Sequence, residues 1–191
     1  MFPRNAHGVP ELLTELALDN YADRLATQRA LAENAAAEVT PLSNTWLEEA
    51  LATLQLIHGK VFTSAVGIAL HGAELITRFV ACDDTIESNS SKEQDQQQQP
   101  SSSKDDLHNG VNNFTGRCLY FVGEHCLLSP YFCPCGAYNY QGMRRQETWL
   151  CKHLLALRIA LHLERRGLVT DGIRIRKVST EELQGMLQRL D

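Results

Sequence analysis

The hydrophobic positions change period along the chain, and each change marks an element. From Pro10 a helical pattern runs through Glu11, Leu12, Leu16 and Leu25 towards Ala37, rich in Ala and Leu, until Pro41 closes it. Thr45-x-x-Glu48 reads as a capping box for a second helix, in which Leu47, Ala50, Leu51 and Leu54 recur at helical spacing. Trp46 and Ile57 widen that face. The apolar stretch 62–70 fits helix and strand templates alike. Residues 74–82, with Leu75, Ile76, Phe79 and Val80, read as a strand. Strand patterning resumes at 117–122, turns at Gly123-Glu124, and continues through 126–132. A helix is predicted over 149–166, stopped by Gly167 as its cap. A short strand, 173–178, precedes a second capping box, Ser179-x-x-Glu182, which opens a last helix with Leu183, Met186 and Leu190 on one side. The predicted class is α+β: N-terminal helices, a small antiparallel sheet, a ββα unit, and a short C-terminal strand and helix.

One tract breaks every period. Asp83-Asp84, residues 88–91, Gln96 to Gln99 and Ser101 to Ser103 belong to a polar, low-complexity run that cannot bury a core. Because strand-like sequence stands on both sides, 83–115 reads as a disordered insertion within a hairpin. Lengthening such a loop costs only about 0.6 kcal/mol per doubling, so the fold tolerates it as a permissive surface loop. The expected division is therefore 1–82, helices leading into the first strand; 83–115, the insertion; 116–167, the ββα unit; and 168–191, the C-terminal strand and helix.

The chemistry sits in the ββα unit. Cys133-Pro134-Cys135 is followed, fifteen residues later, by Cys151-Lys152-His153. Two tight pairs supplying three thiols and one imidazole make one tetrahedral zinc site of the Cys₃His type. In an extended segment Cys133 and Cys135 point to the same face, with Pro134 stiffening the bend and Gly136 letting the chain turn away. Thr148 is the expected helix cap, which would place Cys151 at the third helical position, where the helix dipole favours a thiolate. A strand-borne CxC and a helix-start CxH then close over the ion. A disulfide within CxC would close a very small ring, and the first thirteen residues lack the basic start and apolar core of a secretory leader. Four protein ligands fill the coordination sphere, so the ion is structural, not catalytic. Cys82, Cys118 and Cys126 lack such spacing. His125-Cys126 is a competing metal pair on paper, but Cys126 reads better as a buried thiol on a strand.

A wheel drawn for the zinc helix at about 100° per residue sorts its side chains into four arcs. Leu150, Leu154, Leu157 and Leu161 form one apolar stripe, and Leu155, Ile159 and Leu163 form another nearly opposite. His153, Ala156 and Ala160 lie between them, on the side of the metal, where small residues let the hairpin approach. Arg158, His162 and Arg165 occupy the remaining arc. A helix apolar on two opposed faces is either sandwiched in its own fold or shared with a partner.

Charge adds a partner class. The formal net charge of −5 divides unevenly: residues 1–116 carry 7 basic and 16 acidic side chains, and 117–177 carry 10 basic and 4 acidic. A basic zinc end between acidic flanks favours an anionic partner. Arg144 and Arg145 lie near Tyr138, Tyr140 and Trp149, a mixture suited to phosphate contact and base stacking. Arg144, Arg145, Arg158 and Arg165 are the candidate DNA contacts; the competing reading is an ordinary solvated surface. Nothing points to catalysis. A GxxxxGK[ST] loop is absent, the paired aspartates lie in the polar tract, and no apolar run reaches the roughly 18 residues of a membrane span. Free thiols and the zinc motif fit a reducing compartment.

The pattern CxC-x₁₅-CxH, continued as Leu154-Leu155-Ala156, resembles the SWIM-type zinc finger, whose form is CxCx(n)CxHxxA. The likeness extends further: an Ala/Leu-rich first helix, a helix starting near Trp46-Leu47-Glu48, Cys118-Leu119-Tyr120-Phe121-Val122-Gly123, then CxC and Cys151-Lys152-His153-Leu154-Leu155-Ala156. In this order the chain is similar to the SWIM-domain subunits of Shu complexes, which act in homologous recombination. The resemblance implies ligands at Cys133, Cys135, Cys151 and His153, packing support from Ala156, and one structural zinc. It also implies a nuclear, non-enzymatic accessory subunit that pairs with a RecA-like recombinase paralogue and supports recombinase filaments on single-stranded DNA, touched mostly through the partner. The long polar insertion and the extended C-terminal tail depart from that pattern. The alternative is a SWIM-type adaptor in another assembly, such as a ubiquitin ligase, with no DNA role.

Overall fold

The computed structural model describes residues 8–34, 45–82, 117–127, 131–145 and 149–188. Three helices come first: α1 (Gly8–Asn34), α2 (Thr45–His58) and α3 (Lys60–His71). α1 and α2 run antiparallel, since Thr14 meets His58 at one end and Arg24 faces Glu49 at the other. The ambiguous stretch is helical: Phe62, Ala65, Ile68 and Ala69 form the buried side of α3 at three- and four-residue spacing. Gly72 ends it with a left-handed backbone (φ 65°), a conformation that costs glycine little, and the Ala73 N–H donates to the Gly67 carbonyl at 2.9 Å.

Four strands follow, β1 (Ile76–Ala81), β2 (Cys118–Val122), β3 (His125–Leu127) and β4 (Arg174–Val178), in the order β3-β2-β1-β4. The first three are antiparallel neighbours, with Phe79 opposite Leu119 and Tyr120 opposite Leu127. β4 lies parallel to β1, so the sheet is mixed where an antiparallel one was expected. After β3 the chain crosses over through α4 (Lys152–Arg165) and returns in the same direction, and a crossover of that kind delivers a parallel strand. Of the expected strand 126–132, residues 128–130 lie outside the described residues; β3 is described over His125–Leu127, and Phe132 makes a bridge. Pro134, with no N–H to donate, cannot extend a ladder through the CxC.

The register sorts side chains onto two faces. Ile76, Val122 and Leu127 join the buried side chains of α3 and α4 in the main core. On the opposite face Leu119 and Cys126, with Phe79, Phe121 and Val178, lie under Leu183 and Met186 of α5 (Thr180–Gln188). The α5 capping box forms as expected. The Ser179 N–H donates to Glu182 Oε2 and the Glu182 N–H to Ser179 Oγ, both at 3.1 Å. The polar tract 83–115, the stop at Pro41, the cap at Thr148 and Leu190 lie outside the described residues.

Both apolar stripes along α4 are covered within the chain: Leu150, Leu154 and Leu157 on one and Leu155, Ile159 and Leu163 on the other are buried, and Leu161 of the first stripe is half-buried against the same core. Its polar arc meets α1. Arg158 pairs with Glu11 and Glu15, Arg166 with Asp19 and Asp23, and His162 lies between Glu15 and Asp19. The acidic first helix thus closes over the basic side of the crossover helix. Among the described residues, no helix is long and apolar enough to cross a membrane.

Candidate metal centre

Cys133 and Cys135 approach the centre from a loop, not a strand. Past Cys135 the chain coils into a π-helical turn, Tyr138–Arg144. This turn holds the second cysteine by its backbone: the Tyr138 N–H donates to Cys135 Sγ at 3.3 Å, and the Asn139 N–H to the Cys135 carbonyl at 3.1 Å. The Tyr138 hydroxyl donates to the Tyr131 carbonyl at 2.6 Å, and its ring meets Phe132 edge-on at 6.1 Å, so the turn is tied back across the CxC.

Cys151 stands outside the helix, as the residue that caps it. Its backbone is extended (φ −86°, ψ 173°) and α4 begins at Lys152, a correction to the expected third helical position. The cap position suits the ligand better. The extended backbone swings the sulfur past the helix end, while His153, one turn-start later, projects from the helix itself. The Cys133 thiol, the His153 ring and the Leu154 backbone N–H favour the Cys151 thiolate against its burial and hold its pKa at about 4. Cys133 is shifted the other way, upward, by its hydrogen bond to Cys151 and by burial.

The four donors converge. Cys133, Cys135, Cys151 and His153 are all buried, and one ligand atom from each lies within 4.8 Å of the others. His153 Nδ1 is 3.6 Å from Cys133 Sγ and 4.0 Å from Cys151 Sγ. Ligands at the usual bond lengths of a tetrahedral Cys₃His ion would stand roughly 3.5–3.8 Å from one another. Donor set and spacing therefore fit one metal ion, and this is the cluster with such a donor set among the described residues. Ala156 and Ala160 are buried on the same helix, at 0% and 3% exposure.

Cys126 does not compete for the ion. It faces the other side of the sheet with Leu119 and Leu183. Its neighbour His125 does face the centre, its ring 4.4 Å from that of His153. One contributor had no signal in the pattern of ligands, the π-helical turn, whose N–H groups address the Cys135 sulfur and carbonyl; His125, noted beside Cys126 as a competing pair, instead packs against His153 from the core face of β3.

The candidate DNA contacts fall in different settings. Arg144 and Arg145 are exposed at the end of the π-helical turn, the Arg145 guanidinium 4.7 Å from the Tyr140 ring centre. Arg165 is exposed on the last turn of α4, its Nε donating to the Leu161 carbonyl at 3.3 Å. Arg158 is turned inward: its side chain is 11% exposed, paired with Glu11 and Glu15 and lying over Trp149 at 5.2 Å. The pull of two carboxylates and an aromatic face outweighs solvent at that position.

Comparison with known proteins finds a short likeness. A stretch of 32 residues is 47% identical to the zinc finger SWIM domain-containing protein 7 of Danio rerio, covering 17% of this chain and 23% of that protein. No protein-family profile matches the chain, and no solved structure matches it. The short match and the buried Cys₃His cluster together suggest a zinc finger of the SWIM type.

Proposed function

We propose that this chain is a non-enzymatic zinc-binding accessory subunit that supports recombinase filament assembly on single-stranded DNA, in homologous recombination and DNA repair in the nucleus, through a RecA-like paralogue. The observation that carries the reading is the buried Cys₃His cluster set in the frame Cys151-Lys152-His153-Leu154-Leu155-Ala156, the motif on which the resemblance to the SWIM-domain subunits of Shu complexes rests. Three thiols and an imidazole select zinc among the common ions, and four protein ligands make its role structural. When bound, the ion would tie the CxC loop to the start of α4.

Surface features support the partner half of the reading. With the stripes of α4 covered within the chain, an apolar surface that would suit a partner lies on α1, where Val9, Leu12 and Leu16 are each about two-thirds exposed. Arg144 and Arg145, beside exposed Tyr140 and Met143, would assist DNA contact from the zinc end.

Purification of the chain with its bound partners tests the reading. A RecA-fold ATPase in equal amount is expected, and a single-stranded DNA affinity of the complex that falls when Arg144 and Arg145 are both changed to Glu. A cullin-type scaffold with no recombinase relative would overturn it in favour of an adaptor without a DNA role.

A further inference from the structure

Glu74 stands beside the metal centre, although it lies between α3 and β1, 78 residues before Lys152. Its two carboxylate oxygens are divided. Oε1 accepts from Lys152 Nζ at 2.5 Å, and Oε2 faces His153 Nε2 at 3.4 Å. The other ring nitrogen of His153, Nδ1, is the one that faces the sulfurs of Cys133 and Cys151. His125 packs on the same ring. The imidazole is thus bounded by sulfur donors on one edge, a carboxylate on the other, and a second imidazole against it.

The chain makes room for that carboxylate. Gly123, in the β2–β3 turn, has a left-handed backbone (φ 57°), and its N–H donates to the Leu75 carbonyl at 3.0 Å. A Cβ at this position would stand 2.6 Å from Glu74 Oε2. Any other residue in the turn would push the carboxylate off its seat.

We propose that Glu74 is a positioning residue of the metal centre, its Oε2 opposite His153 Nε2 keeping the proton on Nε2 and presenting Nδ1 to the ion. Ligating histidines commonly give their second N–H to a carboxylate, which fixes tautomer and ring orientation. The inference rests on the zinc reading of the Cys₃His cluster. It adds a residue outside the finger motif, so the centre is completed by the junction of α3 and β1.

The test is competition of the full-length chain for Zn²⁺ against a chromogenic chelator, combined with ¹⁵N spectra of the histidine side chains. Glu74→Ala is expected to raise the zinc dissociation constant about 10-fold to 100-fold. Glu74→Gln keeps an acceptor and should recover part of the loss; being isosteric, it carries the test if truncation unfolds the chain. Gly123→Ala strains the left-handed turn whatever stands beside it, so the part of its effect on zinc binding that passes through the carboxylate is the part that disappears in the Glu74→Ala background. In the zinc-bound parent, His153 should show a metal-bound Nδ1 and a slowly exchanging Nε2 proton, and that proton should exchange faster in Glu74→Ala. A structural ion pair alone would not move this signal. A parent that binds zinc while all three variants stay within about two-fold of it would overturn the inference, as would coordination through Nε2. A parent that holds no zinc would overturn the metal reading itself, and the inference with it.

Discussion

At its N-terminal end α4 is held by sulfur and imidazole donors from which water is excluded; along its polar arc it is held by ion pairs whose acidic partners stay half in water. The four ligand residues are buried, whereas the side chains of Glu11, Glu15, Asp19 and Asp23 on α1 are 37–68% exposed. The two arrangements use polar groups to opposite effect. Buried donors crowded together disfavour the fold until an ion neutralises them, so their contribution depends on metal. The α1 seam balances its own charge and gains little net energy from it: the Arg166 pairs are exposed and screened, and at Arg158 and His162 the cost of burying the group offsets its attraction to half-exposed carboxylates. The first region stabilises; the second chiefly sets which face of α1 lies on α4. Loss of metal should therefore strike the CxC loop and the start of α4, and loss of charge pairing should strike α1.

The sharpest way to break the comparison is to remove a ligand. Cys151→Ser takes away a sulfur while leaving a residue that caps α4 well, so its effect reports on the metal centre and not on the cap. We expect a chain with less than one zinc per molecule and a loss of stability of several kcal/mol, comparable with the whole margin of about 5–15 kcal/mol for a domain of this kind. Hydrogen exchange should rise first over 131–145 and the first turn of α4. An unchanged thermal midpoint together with a full complement of zinc would refute the assignment of this thiol.

Acid should act on the other region. His58 of α2 is half-buried between Thr14, whose Oγ1 is 3.0 Å from its Nε2, and the Trp149 ring at 5.4 Å. Burial, helped by the charge of Arg158, lowers its pKa from 6.5 to about 4. His162, lodged against Glu15 and Asp19, is also lowered, by burial first. The unfolded chain binds the His58 proton at about pH 6.5 and the folded chain only near 4, so stability is intact above 6.5 and falls as pH drops towards 4, with His162 acting in the same direction. Allowing for solvent screening at a partly exposed site, His58 accounts for about 1–2 kcal/mol of that fall. Protonation of the metal ligands also weakens the chain in acid, and the comparison of parent with His58→Gln removes that shared part. The variant should show a shallower decline between pH 6.5 and 4, with the difference in exchange located on α1 and α2. Identical slopes would refute the role of His58.

How much of this was open to sequence reasoning follows the same division. The four converging donors were legible because the residue types and spacing that one small ion would demand are local, and the α5 capping box because its partners are three residues apart. The two stripes of α4 were legible as well, but what covered them was not: Glu11, Glu15 and Asp19 meet Arg158 and His162 across more than half the chain, and local periodicity holds no record of that. Two of the expectations that failed did so for local reasons. Cys151 proved to be the cap itself, because an extended backbone there lets its sulfur and the His153 ring meet. The direction of β4 was hidden because Arg174, Ile175, Arg176 and Lys177 are all exposed on an edge strand and show no alternation. Glu74 left no signal at all, since a lone glutamate before a strand is indistinguishable from surface until the turn at Gly123 is seen to make room for it.

The smallest expected effect tests the claim that the seam directs more than it stabilises. Arg166 reaches Asp19 at 2.6 Å and Asp23 at 3.0 Å, the shortest ion pairs between α1 and the end of α4. Geometry alone would rank them first. All three side chains are well exposed, however, and the arginine must give up side-chain freedom to hold both contacts. Arg166→Ala should therefore leave the thermal midpoint unchanged within measurement error at physiological salt, with any difference appearing only at low ionic strength. Exchange at the amides of α1 facing Asp19 and Asp23 is the sensitive reading, because loosened docking would register there before the midpoint moves. A clear drop in midpoint at physiological salt would mean that α1 is fastened to α4 by its exposed charges, and the contrast between a stabilising centre and a directing seam would not stand.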